Sequence, residues 1–406
     1  MPDRRPRLSL CIPTRNRPAC AQRTLVDLLG NPRRDVEIIF ADNSDAALSL
    51  AAFAATVDDP RLTYLPPADR GLSMPANWTR AVAACRGDWI VVIGDDDFFD
   101  LDMVGCLDAI EARATDVDCI GWNRLSFAWP DSRRIPGNMA LQLGNRAAET
   151  PRAQFFDRLF GWRGASHVPS SAYSIYHGAV RRDLVEKIAR RYGDLFEHAV
   201  VDYEWSCKLA VDATRFLYVE RPFSVAGVSA ESNSAAAGDF TRSRANHRAM
   251  IAEHGAGEEA SEWISGFPFG PHLGVAGCIL GVQHWFKQKY GVDYGGWQEN
   301  FVKALVRDCE NGDGRDGFDQ QVVACRSALA AFEDGRWLAE FRPCYRSRKQ
   351  AQALTGLRGG TLYIDETVAD TPAQALRFVR QIVEPFESLT FLIEPADRPS
   401  TTASFA

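Results

Sequence analysis

Up to Trp122, short continuous apolar runs alternate with stretches in which apolar residues recur every three to four positions. Leu8–Ile12 is one such run, stopped by Pro13, and predicts a buried strand. Val36–Ala41, Arg61–Leu65, Trp89–Ile93 and Asp118–Trp122 predict four more. Between them, Pro18 can open a helix whose apolar face is Leu25, Leu28 and Leu29, ending at Gly30. Ser73 and Pro75 supply a cap and a first-turn proline for a helix carrying Trp78, Ala81, Val82 and Cys85, closed by Gly87, and Leu101–Arg113 predicts another. Strands apolar on both faces, alternating with helices, imply an α/β fold with a mainly parallel sheet covered on two sides. Ligands of such sheets bind at the carboxyl ends of the strands. Chemistry is therefore expected in Pro13–Arg17, Asp42–Asp45 and Asp95–Asp97.

From about residue 240 to about 340 the pattern turns helical, broken by the glycine-rich Asn311–Gly317. Thr361–Ile364 and Leu389–Ile393 predict strands flanking a helix over Pro372–Val383, and Pro399–Ala406 reads as a frayed tail. The expected division is a domain over 1–235, a mostly helical region over 236–345 and a small βαβ-like segment over 346–406, in keeping with a length of 406 residues. A net charge of −7 argues against broad nucleic-acid binding, which needs basic stripes, but leaves room for one bound nucleotide. The ten cysteines form no CxxC and several sit in apolar runs, which reads as reduced core thiols in a cytoplasmic protein. Leu8–Ile12 is too short for a signal peptide. The longest apolar stretch, Leu273–Phe286, is interrupted by Gln283 and His284 and reads as a buried helix, with peripheral membrane contact left open.

Four constellations carry chemical interest. Asp95, Asp96 and Asp97 directly follow an apolar strand. Three carboxylates there repel one another and need a cation or hydrogen bonds. A hard divalent ion bound by one or two of them and by phosphate oxygens is one reading; a solvated acidic turn before a helix is the other. Asp42-Asn43-Ser44-Asp45 can accept hydrogen bonds from a base or ribose, or form a plain Asx turn. Pro13–Arg17 offers amides, a hydroxyl and two guanidiniums to a nucleotide, or is an ordinary strand-to-helix loop. Asp202, at the start of a helix carrying Trp205 and Leu209, suits a general base or a simple helix cap.

Taken in order, these segments resemble family 2 glycosyltransferases of the GT-A group. The similarity covers about 1–235 and rests on Leu10–Arg17, Glu37–Ser44, Arg70–Ser73 with Asn77, Gly87–Asp97, and Asp202–Trp205 with Lys208–Ala210. The resemblance implies a GT-A fold and transfer of a sugar from a nucleotide-diphosphate donor, most plausibly uridine-based, to a hydroxyl of a glycan, lipid-linked or other acceptor. It implies inversion, with Asp202 as the catalytic base. It places the nucleotide against Pro13, Thr14, Arg15, Arg17, Asp42, Ser44, Gly71, Asn77 and Asp95, and a Mn²⁺ or Mg²⁺ ion on Asp96 with Asp97. Trp162, His167, Tyr173, Tyr176 and His177 are candidates for acceptor contact. The chain departs from the family pattern at Gly94, where many members have Asp, and at Val201. It also has no clear counterpart of a late histidine; the polar Gly227–Ser234 occupies that place. A nucleotidyltransferase, or a sugar-binding protein without turnover, remains as an alternative class, and self-association is open.

Overall fold

The computed structural model describes residues 5–393 except 47, 134–136, 233, 237, 255–264, 313 and 347–354, so the predicted tail Pro399–Ala406 lies outside the described residues. The first half folds as β1 (Leu8–Thr14), α1 (Pro18–Leu29), β2 (Val36–Asp42), α2 (Leu48–Ala55), β3 (Leu62–Leu65), α3 (Met74–Ala83), β4 (Trp89–Val92), β5 (Phe98–Phe99), α4 (Met103–Glu111) and β6 (Cys119–Ala128). There follow β7 (Asn138–Gln142), β8 (Arg146–Thr150), α5 (Arg152–Phe160), β9 (Gly178–Arg181), α6 (Arg182–Tyr192), α7 (Val201–Asp212) and β10 (Phe216–Val228).

The main sheet runs in the order β8-β10-β6-β9-β4-β1-β2-β3. β4, β1, β2 and β3 are parallel, as the continuous apolar runs predict. β9 lies antiparallel between β4 and β6, and β10 returns parallel to β6, so the sheet is mixed rather than uniformly parallel. Every residue of β1, β2 and β4 is buried, since helices cover both faces. α1 opens at Pro18, and α3 is capped by the Ser73 hydroxyl, which accepts from the Ala76 amide. One core lies under α1 and α4; the other lies under α3, α5, α6 and α7.

The remainder is helical, with α8 (Phe240–His254), α9 (Val275–Tyr290), α10 (Gln298–Glu310) and α11 (Arg315–Ala331). Leu280, Phe286, Phe301 and Leu329 from this region join the core that lines one face of the sheet. α9 is the stretch read as a buried helix, and no helix among the described residues is long and apolar enough to cross a membrane. None of the ten cysteines forms a disulfide.

The C-terminal elements are β11 (Gly356–Arg358), β12 (Thr361–Asp365), α12 (Pro372–Val379) and β13 (Thr390–Leu392). Both predicted strands form, but they do not pair with each other: β12 joins β7 in a small three-stranded sheet, and β13 extends the main sheet beyond β8.

Candidate active site

β1, β2 and β4 end side by side, with Thr14 opposite Asp42 and Cys11 opposite Val92. Two residues past β4 the acidic turn begins, and its three aspartates are 0%, 4% and 1% exposed. Buried carboxylates this close stay ionised only with partners, and each aspartate has a different set. Asp95 accepts from the Thr14 hydroxyl at 2.6 Å and lies 2.7 Å from the Arg17 guanidinium. Asp96 takes the other side of that guanidinium at 3.0 Å and the Ser229 hydroxyl at 2.7 Å. Asp97 is saturated: one oxygen accepts from the Gly94 amide at 2.6 Å, the Tyr176 hydroxyl at 2.8 Å and His177 Nε2 at 2.9 Å, the other from the Gly227 amide at 2.7 Å. Ser224 Oγ accepts from the Trp122 indole and lies 2.8 Å from His177 Nδ1, which aims Nε2–H at Asp97.

The ionisation directions follow. Burial pushes Asp95 up to about 7 against the pull of Arg17. Burial and the Asp97 charge raise Asp96. Asp97 is equally buried, yet His177 and the Gly227 and Gly94 amides hold it below the usual carboxylate range. The three aspartates are therefore not equivalent. Both oxygens of Asp97, expected beside Asp96 as a metal residue, accept hydrogen bonds from the surrounding fold. Asp96 Oδ1 accepts no hydrogen bond among the described residues, and Asp96 lines the cleft.

Asp202 stands in the first turn of α7, where its Oδ1 accepts from the Tyr203 amide at 2.9 Å. Burial raises it, opposed by that amide and by the charge of Arg124. The start of α7 is fixed from behind. Glu204 accepts from the Glu197 and His198 amides, and its carboxylate lies 2.7 Å from the fully buried Lys208 ammonium.

A cleft of about 350 Å³ brings Pro13, Arg17, Gly94, Asp96 and Asp202 together. Thr14, Asp95 and Asp97 support it from beneath. Asp42, Ser44, Asn77, Gly71 and Arg15 form an adjoining group outside that lining. In that group Asp42 accepts from the Ser44 amide at 2.8 Å, an Asx turn, and from the Tyr64 hydroxyl at 2.9 Å. Asn77 donates to the Ala41 carbonyl at 3.3 Å, and Gly71 sits over Asp45 and the Arg15 guanidinium. Arg15 pairs with Glu253 of α8 at 2.8 Å, tying the loop to the helix that faces the cleft.

α8 falls in the stretch expected to be helical, but the sequence reading named no site residue on it. Its Ser243, His247 and Met250 line the cleft opposite Asp96, and His247 Nδ1 is buried without a hydrogen-bond partner. Burial lowers this imidazole, favouring its neutral form. The helical spacing of these three residues was the available signal, but nothing local assigns them to a site.

The acceptor candidates divide. Trp162 and Tyr173 are 1% and 2% exposed and bond Gln283 and Thr150, so they belong to the core. Tyr176 and His177 hold Asp97. His167 lines neither this cleft nor the neighbouring one.

Residues 9–185 match the family model described as Glycosyl transferase family 2. No curated protein matches the sequence. Among solved structures, the chain is similar to S. aureus TarS 1-349 in complex with UDP-GlcNAc, at 12% identity and a TM-score of 0.45, over 82% of this chain and 89% of that one. It is also similar to the mannosyltransferase PcManGT from Pyrobaculum calidifontis in complex with GDP-Man and Mn²⁺, at 14% identity and a TM-score of 0.39, over 83% and 84% of the two chains. The matched stretch runs from β1 through β9 and includes the acidic turn, so this part of the chain is similar to a family 2 glycosyltransferase domain.

Proposed function

We propose that this enzyme moves a sugar from a nucleoside-diphosphate donor, a UDP-sugar, to an acceptor hydroxyl with inversion at the anomeric carbon, Asp202 acting as the base. The observation that carries the reading is the shared cleft: Arg17, Asp96 and Asp202 line one cavity of about 350 Å³ at the carboxyl edge of the sheet. The nucleoside rests on the group around Asp42, Ser44, Gly71 and Asn77, and the diphosphate reaches toward Arg17.

Among the described residues no group of three or more His, Cys, Asp or Glu side chains could hold an ion without help. The donor set nevertheless fits Mn²⁺ or Mg²⁺, which use one or two carboxylates together with phosphate oxygens. Asp96, with an oxygen that accepts no hydrogen bond, is the residue to hold it, and Asp95 stands behind it on Arg17. Such an ion would neutralise charge on the departing diphosphate.

In the displacement the acceptor oxygen forms a bond to the anomeric carbon as the bond from that carbon to the β-phosphate oxygen breaks. The electron pair leaves on the diphosphate. The acceptor proton passes to the Asp202 carboxylate, whose raised proton affinity suits a general base. Arg17, 22% exposed, offers the leaving group a fixed cation.

The test is a panel of UDP- and GDP-sugars assayed for donor hydrolysis with Mn²⁺, alongside a thermal-shift screen. A bound donor raises the melting temperature by mass action. Asp202→Asn is expected to keep the thermal shift and lose about 10²–10⁴-fold in turnover. Asp96→Ala is expected to lose the Mn²⁺ dependence. Wild-type turnover in Asp202→Asn would remove the base assignment. Absence of a shift with every nucleotide sugar would remove the donor reading.

A further inference from the structure

A second cleft, of about 580 Å³, opens beside the donor cleft and is assigned no role by anything above. The wall between them is one residue thick. Tyr203 lines both cavities, and the neighbours Tyr176 and His177 face one each. Its lining is polar but almost uncharged: Asn123, Gln142, Ser170, Ser171 and Tyr218 offer neutral hydrogen-bonding groups. No Asp, Glu or Lys lines it, and Arg124 of β6 is its one arginine.

Arg124 is an exposed residue. Acidic residues outnumber basic ones, 53 to 46, and Arg7, Arg17, Arg61, Arg146, Arg215 and Arg221 all meet carboxylates. The Arg124 side chain has no hydrogen bond or ion pair among the described residues, although its backbone lies in the β6–β10 ladder. Its charge is nevertheless felt at the site, since it lowers the proton affinity of Asp202, Tyr203 and Tyr176. A guanidinium left without a carboxylate, in a cleft free of negative charge and beside the proposed base, is an oxyanion receptor.

We propose that this second cleft is the acceptor subsite and that it selects an acceptor bearing an oxyanion, a phosphate or a carboxylate, held by Arg124 so that a neighbouring hydroxyl meets Asp202. This rests on the reading of Asp202 as base. Neutral sugar hydroxyls meet Asn123, Gln142 and the serines, and the anion sets their register.

The experiment titrates the full chain, with and without UDP, against glucose 6-phosphate, glucuronate and glucose, read by saturation-transfer NMR. The two anions are expected to bind more tightly than glucose. Arg124→Gln is expected to weaken them roughly tenfold, the size of one charge-assisted hydrogen bond, while leaving glucose unchanged. Arg124→Lys should recover part of the loss. The two anions separate a phosphate from a carboxylate preference. Equal binding of all three ligands, or unaltered anion binding in Arg124→Gln, overturns the proposal. UDP binding with no anion preference sinks this inference alone; failure of UDP to bind counts against the donor reading, while the nucleotide-free titration still decides this one.

Discussion

The closest backbone approach in the site is a glycine, and replacing it tests the whole arrangement of the acidic turn. Gly227, near the end of β10, packs so tightly that a Cβ there would lie 1.7 Å from the Asp96 carbonyl oxygen, 2.7 Å from its carbon and 2.8 Å from the Trp129 indole nitrogen. No side-chain motion relieves a clash with a backbone carbonyl, so Gly227→Ala must push β10 and the turn apart. That breaks the Gly227 amide bond to Asp97 and strains the Ser229 contact with Asp96. Overpacking costs about 1–3 kcal/mol and the lost hydrogen bond to a charged group about 1.5–3 kcal/mol, so a loss of roughly 3–5 kcal/mol is expected. Thermal unfolding followed by circular dichroism reads the stability, and UDP-sugar hydrolysis reads the site. Gly105→Ala is the matched control. The three atoms nearest its Cβ would all belong to the Phe386 ring, the closest at 2.4 Å, and a ring can shift where a backbone carbonyl cannot. It should cost less stability and leave hydrolysis intact. If Gly227→Ala melts and turns over like the wild type, β10 does not press on the turn and Asp97 is not held as described.

Three further outcomes are expected. Lys208→Met removes the ammonium facing the fully buried Glu204, which should cost about 3–5 kcal/mol in a thermal melt, and adding Glu204→Gln, which drops the charge but keeps an acceptor for the Glu197 and His198 amides, should recover part of it. Arg17→Met takes the one guanidinium from between Asp95 and Asp96, so the metal-free protein should melt lower and gain more from Mn²⁺ in a thermal-shift assay; an unchanged Mn²⁺ response would refute this. Asp308, buried between α9 and α11 with its carboxyl pushed up to about 7, holds a proton in the fold that the unfolded chain has released, so it costs stability as pH rises from about 4 to about 7. Asp308→Asn should flatten that decline in melting temperature against pH.

How much of this was legible in the sequence depended on whether the partner was near in the chain. β1, β2, β3 and β4 are short apolar runs punctuated by Pro13, Asp42 and Gly94, and local pattern alone identifies them. The same is true of α1 and α3, which announce themselves with Pro18, Ser73 and Pro75. β10 is different. It carries Pro222 in its interior, which normally argues against a strand in mid-sheet, and the structure resolves the conflict by a register shift between Val219 and Ser224. Without β10 placed, neither Gly227 nor Ser229 can be put against the acidic turn, and all three aspartates look equally free to hold an ion.

The roles of those aspartates therefore come from contacts that span the chain. Asp97 is engaged by Tyr176, His177 and Gly227, residues 79, 80 and 130 positions away, and Asp96 by Ser229, 133 positions away. A run of three identical residues carries no mark of which one the fold will neutralise. What decides it is direction: Asp97 points back toward β9 and β10, where donors converge, while Asp96 faces the cleft with one oxygen left over. The same logic separates Arg17 from Arg124. Both are arginines beside the proposed site, but Arg17 is matched to carboxylates and the Arg124 side chain is not.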